Sequence, residues 1–276
     1  MFRRKKMSTR DRPQVFGYDR DAFVSLVKRH YKLLVDMGHL HPEALQAPDE
    51  AGWTDAELNV DALRTLGRSE TIIDLLRHLP YPRAGPPGSD EAVDDAVVYY
   101  ETKALSYLKN KWQPEKDTDP DWHKRPFAML GLAPFDKPVP PHMVSLTYDE
   151  AQIGVIWLID TERGCVYPQG DEYYLYDDAP PEAEGDEPWL SAKALSFQIF
   201  FDKMYKEISS LKLVPAPTAG NFGAAIRAAK DPDAKAMKRL YIEHGWPEAF
   251  RKDEFLRAAV PARAAVLDDE YDWSDE

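Results

Sequence analysis

The sequence predicts an α+β fold: a central antiparallel sheet, a meander around residues 143–167, covered by helices, with extra helices at both ends. Two stretches carry that prediction. The first is MVSLTYDEAQIGVIWLIDTERGCVY, residues 143–167, the longest run that reads as sheet, with turn residues on both sides. The second is a helix that Ser191 can cap. Phe197, Phe200, Phe201, Met204, Ile208 and Leu211 fall at i, i+3, i+4, i+7, i+11 and i+14. That spacing makes a wide apolar face, suited to covering one side of a sheet.

The meander divides into three strands. Val144, Leu146 and Tyr148 alternate with Met143, Ser145 and Thr147, the period of a half-buried strand. Asp149, Glu150, Ala151 and Gln152 form a polar connection. Residues 153–159 are apolar on both faces: Ile153, Val155, Trp157 and Ile159 on one, Gly154, Ile156 and Leu158 on the other. A strand of that kind is central and covered on both sides. Residues 160–164 are the turn, and Gly164 supplies the positive φ that closes it. Cys165, Val166 and Tyr167 begin the return strand, which Pro168 ends. Gly154 inside a strand marks a bulge or another backbone passing close.

The rest follows in order. Asp19 or Asp21 caps a first helix carrying Phe23, Leu26, Val27, Tyr31, Leu34 and Val35, with Gly38 as its stop. His39-Leu40-His41 reads as a turn with exposed imidazoles rather than a metal site. Thr54 and Glu57 match a capping box, with Trp53 as its staple. Ser69 caps a helix whose stripe is Ile72, Leu75, Leu76 and Leu79; Pro80 and Pro82 end it. Residues 83–95 read as a surface loop. Val97 to Tyr100 favour a strand, and residues 104–111 fit a helix. Residues 113–141 read as a long irregular loop pinned by aromatics. Residues 170–176 add a tyrosine-rich strand, and residues 177–188 an acidic loop. Asp231-Pro232 starts a helix with Met237, Leu240, Tyr241 and His244 on one face, and Gly245 stops it. A last helix includes Phe250, Phe255 and Leu256. The domain plan is therefore a basic leader at 1–18, the α+β domain at 19–215, a helical extension at 216–262 and an acidic tail at 263–276.

Composition excludes several classes. The chain has 276 residues, 43% of them hydrophobic, and a net charge of −13. That charge would repel a phosphate backbone, so nucleic-acid binding is not expected. No apolar run approaches the roughly 20 residues that span a bilayer. Cys165 is the single cysteine, so no internal disulfide forms, which fits a cytoplasmic protein. Arg3, Arg4, Lys5, Lys6 and Arg10 lack the apolar stretch of a secretory signal; such basic runs also serve as nuclear signals.

The order of features resembles a known family. Helices lead in and stop at Leu79-Pro80. A strand pair follows as Ile153-Gly154-x-x-Trp157-x-x-Asp160-Thr161, with Gly164 in the turn and then Val166-Tyr167. A tyrosine-rich acidic segment and a Phe-rich helix beginning near Trp189 complete it. Over residues 55–213 this resembles the SUKH superfamily, which includes fungal cell-wall-assembly regulators and bacterial toxin-immunity proteins. Its usual double glycine before the central strand is replaced by Ala151-Gln152-Ile153-Gly154. The Leu213-Val214-Pro215 and His244-Gly245-Trp246-Pro247 stretches look like fungal sequences. The resemblance implies an α+β fold, no catalysis and a role in binding other proteins.

Candidate site residues lie at the turns of the meander. Asp149, Glu150, Asp160 and Glu162 are the candidate binding residues. Paired carboxylates serve as acid and base or hold a cation. Beside turn residues such as Arg163, however, a solvated carboxylate is the ordinary state, and neither a catalytic residue nor a metal ligand is assigned. Cys165 with His142 or His244 could make a nucleophile and base, but a lone cysteine in a strand ordinarily packs as a small hydrophobe. Gly154, Trp157 and Gly164 read as structural. No GxSxG, HExxH or dinucleotide fingerprint occurs, and Gly220 to Gly223 lacks the ending of a phosphate loop, so no cofactor is expected. The expected function is a non-catalytic module binding a protein partner, a basic one by charge. The alternatives are a hydrolase or transferase using carboxylates near Asp160, and a scaffold.

Overall fold

The computed structural model describes residues 14–84, 95–108, 139–148, 154–170, 187–217 and 223–259. In chain order, α1 (Arg20–Asp36) leads to β1 (Leu45–Gln46), α2 (Asp55–Leu58), α3 (Val60–Thr65), α4 (Glu70–His78) and β2 (Tyr81–Pro82). Next come β3 (Val97–Tyr99), β4 (Thr102–Ala104), β5 (Met143–Ser145), β6 (Thr147–Tyr148), β7 (Ile156–Asp160), β8 (Cys165–Gln169) and β9 (Leu195–Ser196). They are followed by α5 (Phe197–Ser209), β10 (Leu213–Pro215), β11 (Ile226–Ala228), α6 (Pro232–Glu243) and α7 over 252–259. Among the described residues no helix is long and apolar enough to cross a membrane.

Local chemistry sets the helix ends. Asp19 caps α1 by accepting from the Ala22 N–H, and Gly38, at φ +78°, follows its end. Thr54 and Glu57 complete the capping box of α2. That helix lasts one turn, because Asn59 takes the left-handed conformation and redirects the chain into α3. Ser69 caps α4 through the Ile72 N–H. The indole N–H of Trp53 donates to the Leu79 carbonyl, and its ring lies near Tyr81.

The fold is α+β, and among the described residues every paired strand is antiparallel. The main sheet has the order β5-β7-β8-β9. β7 lies inside it, and all five of its residues are buried. Trp157 is wholly enclosed, with His30 of α1 and Phe200 and Phe201 of α5 meeting its ring edge-on at 5.5, 5.6 and 5.8 Å. Phe23 joins the same layer, 4.5 Å from Phe197. Each such side chain contributes roughly 1.5–3 kcal/mol by leaving water. A second sheet, β3-β4-β6, shares its chain with the first where β5 runs into β6.

The outer edge of β5 is closed by side chains. The Met143 carbonyl accepts from Arg68 and the Ser145 carbonyl from the Tyr107 hydroxyl, each at 2.7 Å. An edge satisfied this way offers little to an incoming strand. Beyond the sheet, α6 and α7 pack against the C-terminal end of α1. The Tyr241 hydroxyl donates to the Met37 carbonyl, and Phe255 stacks on Tyr241 at 4.1 Å.

Several expectations are corrected. β7 begins at Ile156, so Gly154 precedes the strand; a Cβ on Gly170 would run into the Gly154 carbonyl, which locates the close approach there. Pro168 does not end β8 but sits within it, opposite Trp157. The Trp157 carbonyl points to Leu146 on the other side, so this is not a hydrogen-bonded pair with β8, and the missing proline N–H costs that ladder nothing. Ser191 closes a 3-10 turn instead of capping α5; Ser196 is the cap, because Leu195 and Ser196 first pair with β8. Residues 105–108 are not helical: Leu105 donates to the Leu146 carbonyl and Tyr107 is buried beside β5. His39 is buried, not exposed, and its Nε2 lies 2.8 Å from the Val97 carbonyl. The expected features at 1–13, 85–94, 109–138, 149–153, 171–186, 218–222 and 260–276 lie outside the described residues.

Candidate functional site

The β7–β8 turn gathers most of the candidate chemistry. Asp160 is the last residue of β7, pairs with Cys165 across the hairpin and is 1% exposed. Its Oδ1 accepts from the Arg163 N–H at 2.8 Å, the short-range bond by which aspartate shapes a turn. Its Oδ2 is buried, has no hydrogen-bond partner among the described residues and lies 3.9 Å from Arg163 Nε. Arg163 in turn donates to the Tyr167 hydroxyl at 2.6 Å.

Antiparallel register brings His142 to the same place. Met143 pairs with Asp160, so the residue before β5 meets the residue after β7. Thr161 donates to the His142 carbonyl twice, from its N–H at 3.0 Å and its hydroxyl at 2.9 Å. The His142 ring then lies between two carboxylates: Nε2 is 3.9 Å from Asp160 Oδ1 and Nδ1 is 3.3 Å from Glu162 Oε1. The three differ in access. Asp160 is enclosed, the His142 side chain is 25% exposed and the Glu162 side chain 71%.

A segment from the N-terminal side covers this tip. The Phe16 N–H donates to the Arg163 carbonyl at 2.8 Å. Gly164 stands at φ +65°, and a Cβ there would collide with the Gly17 backbone. Both the turn and the crossing chain therefore require glycine. Gly164→Ala is expected to cost about 1–2 kcal/mol from the left-handed backbone and to lift residues 14–18 off the turn. Chymotrypsin cleavage at Phe16 or Tyr18 should accelerate while the rest stays resistant; unchanged cleavage would show that the contact does not hold the segment.

The arrangement sorts the candidates chemically. Cys165 is fully enclosed; burial, and secondarily the charge of Asp160, push its thiol up to about 12. A thiol held protonated is not a nucleophile near neutral pH. Asp160 and Glu162 come together around His142, whereas Asp149 and Glu150 lie outside the described residues. Trp157 sits in the core beneath the tip. Among the described residues no group of three or more His, Cys, Asp or Glu side chains is placed to hold a metal ion. A separate cleft of about 400 Å³ is bounded by Phe250, Arg251, Lys252, Asp253, Glu254 and Arg257, where Arg251 and Lys252 are tied to the Glu243 and Val35 carbonyls. Sequence reasoning weighed His142 only as a base for Cys165. The signal that places it at the tip is the register of β5 on β7. The fold and its tip thus define an α+β protein with a polar, half-covered hairpin turn. No family model, no curated protein and no solved structure matches the chain.

Proposed function

We propose that the chain is a non-catalytic protein-interaction or regulatory module, similar to the SUKH superfamily, that binds a protein partner at the β7–β8 tip. The observation that carries this reading is the division of labour between the two tip carboxylates. Asp160 is enclosed and engaged in the turn, while Glu162 projects beside the half-exposed His142. One shapes the surface and the other is presented on it. The side-chain closure of the β5 edge favours recognition by the tip over strand addition. The net charge of −13 favours a basic partner and disfavours nucleic acid. The single cysteine supports a cytoplasmic location, and the basic leader offers a route to the nucleus.

The test is quantitative affinity capture with the full chain and with Glu162→Lys, followed by titration of the purified captured protein. An exposed charge reversal should leave stability within about 0.5 kcal/mol, yet remove a partner that binds the unaltered chain. Recovery of the same proteins with both chains, or of none above background, would sink the reading. One observation favours the hydrolase or transferase alternative: an imidazole flanked by two carboxylates can move a proton. Turnover of an ester, phosphoester or glycoside that disappears in His142→Gln would establish it.

A further inference from the structure

The chain is acidic overall, but its charge is unevenly spread. Residues 187–259 hold twelve Lys and Arg against nine Asp and Glu, a net of +3 within a chain of −13. α6 itself carries three cations against two acids, Asp233 and Glu243, and the three cations share one face. Lys235, Lys238, Arg239 and Ile242 fall at i, i+3, i+4 and i+7, one stripe of the helix. Met237 and Tyr241 fix the opposite face in the core. Ile242 is 58% exposed, an apolar side chain one turn from Lys238 and Arg239. Arg239 faces Glu243 at 3.7 Å; Lys235 and Lys238 have no carboxylate partner among the described residues.

A matching segment exists in the same chain. Residues 266–276, VLDDEYDWSDE, carry six acidic residues, no Lys or Arg, and Tyr271 and Trp273 among them. Their point of departure is known. α7 packs on α6 through Phe255 and Tyr241, and Ala259 near its end is fully buried. The six residues between Ala259 and Val266 span about 20 Å when extended, and a helix of 12 residues such as α6 is about 18 Å long. The linker is thus about as long as α6 itself, and it starts from a helix packed on α6. We propose that residues 266–276 dock on this face of α6, with carboxylates against Lys235, Lys238 and Arg239 and an aromatic ring against Ile242. Docking there makes the segment an internal competitor for any acidic partner of the stripe. The inference does not rest on the hairpin-tip reading. The tip meets the chain just before α1 at Phe16, whereas α6 meets the far end of α1 at Met37.

Zero-length carboxyl–amine cross-linking of the full chain, mapped by mass spectrometry, tests this directly. Lys235 and Lys238 should join to the carboxylates of 268–276. In an equal mixture of ¹⁴N- and ¹⁵N-labelled chains, the joined peptides should carry a single isotope. Ile242→Asp together with Arg239→Glu, both exposed, should lower the yield about tenfold, equivalent to about 1.4 kcal/mol. Links that are absent, that spread equally over Lys28 and Lys206, or that chiefly join the two isotopes would overturn the proposal, the last result assigning the segment to a second copy.

Discussion

Arg68→Met is expected to destabilise the fold by about 3–5 kcal/mol, the largest effect of any single substitution considered. Arg68 is 7% exposed, and among the described residues no carboxylate pairs with it. Its guanidinium instead donates to four backbone carbonyls: Met143 at 2.7 Å, Pro140 and Val139 at 3.0 Å, and the nearby Leu66 at 3.4 Å. Burial depresses its pKa from the ordinary value, yet arginine stays protonated, and among the described residues carbonyl dipoles face the charge. Methionine fills comparable space but leaves the Met143 and Val139 carbonyls without the donor of their buried bonds, whereas Pro140 keeps the Met143 N–H. Arg68→Lys should recover only part of the loss, because one ammonium lacks the planar fork that spans four acceptors. Urea unfolding followed by circular dichroism measures both. A loss under about 1 kcal/mol for Arg68→Met would mean that the carbonyls find other donors. The consequence reaches the site, because the same carbonyls set the path of His142 into β5.

The second large effect is acid sensitivity through His30. This side chain is 1% exposed, and its Nε2 lies 2.8 Å from the Val98 carbonyl, which requires the neutral ring to carry its proton there. Burial lowers its pKa to about 4, with the charge of Arg29 and the nearby His39 acting in the same direction against the Val98 bond. The unfolded chain takes up a proton near pH 6.5, whereas the folded one resists until about 4. The stability is therefore complete above about pH 6.5 and is lost as pH falls toward 4, in total about 3 kcal/mol. Between pH 7.5 and 5.0 the chain should lose about 2 kcal/mol more than His30→Gln, whose amide can still donate to Val98. Equal slopes for the two proteins in urea unfolding would show that His30 does not govern the acid limb. The variant keeps every carboxylate, so their titration cancels in the comparison.

Both residues escaped sequence reasoning for a physical reason. Arg68 precedes Ser69, a legible cap, but nothing local marks it as buried; its shorter bonds go to carbonyls 71 to 75 positions away. His30 falls on the inner face of α1, where periodicity marks burial but not the carbonyl it meets. His142 became a tip residue only through the register of β5 on β7. The helix after 104 went wrong because residues 105–108 are tied to Leu146 and β5, and those long-range bonds overrode local preference. The start of α5 moved from Ser191 to Ser196 on the same account, since β9 pairs before the helix begins.

The amino-acid sequence alone determined the local elements: the caps at Thr54 and Ser69, a first cap at Asp19 or Asp21, the apolar strand through Trp157, the turn at Gly164 and the aromatic face of α5. These depend on interactions within a few residues, where side-chain type and spacing suffice. Tertiary structure alone decided which buried polar groups share carbonyls, which carboxylate turns inward, and that Gly17 lies against Gly164. Those outcomes depend on where distant segments meet, and burial makes each one matter, because a polar group removed from water must be satisfied by whatever the fold brings to it.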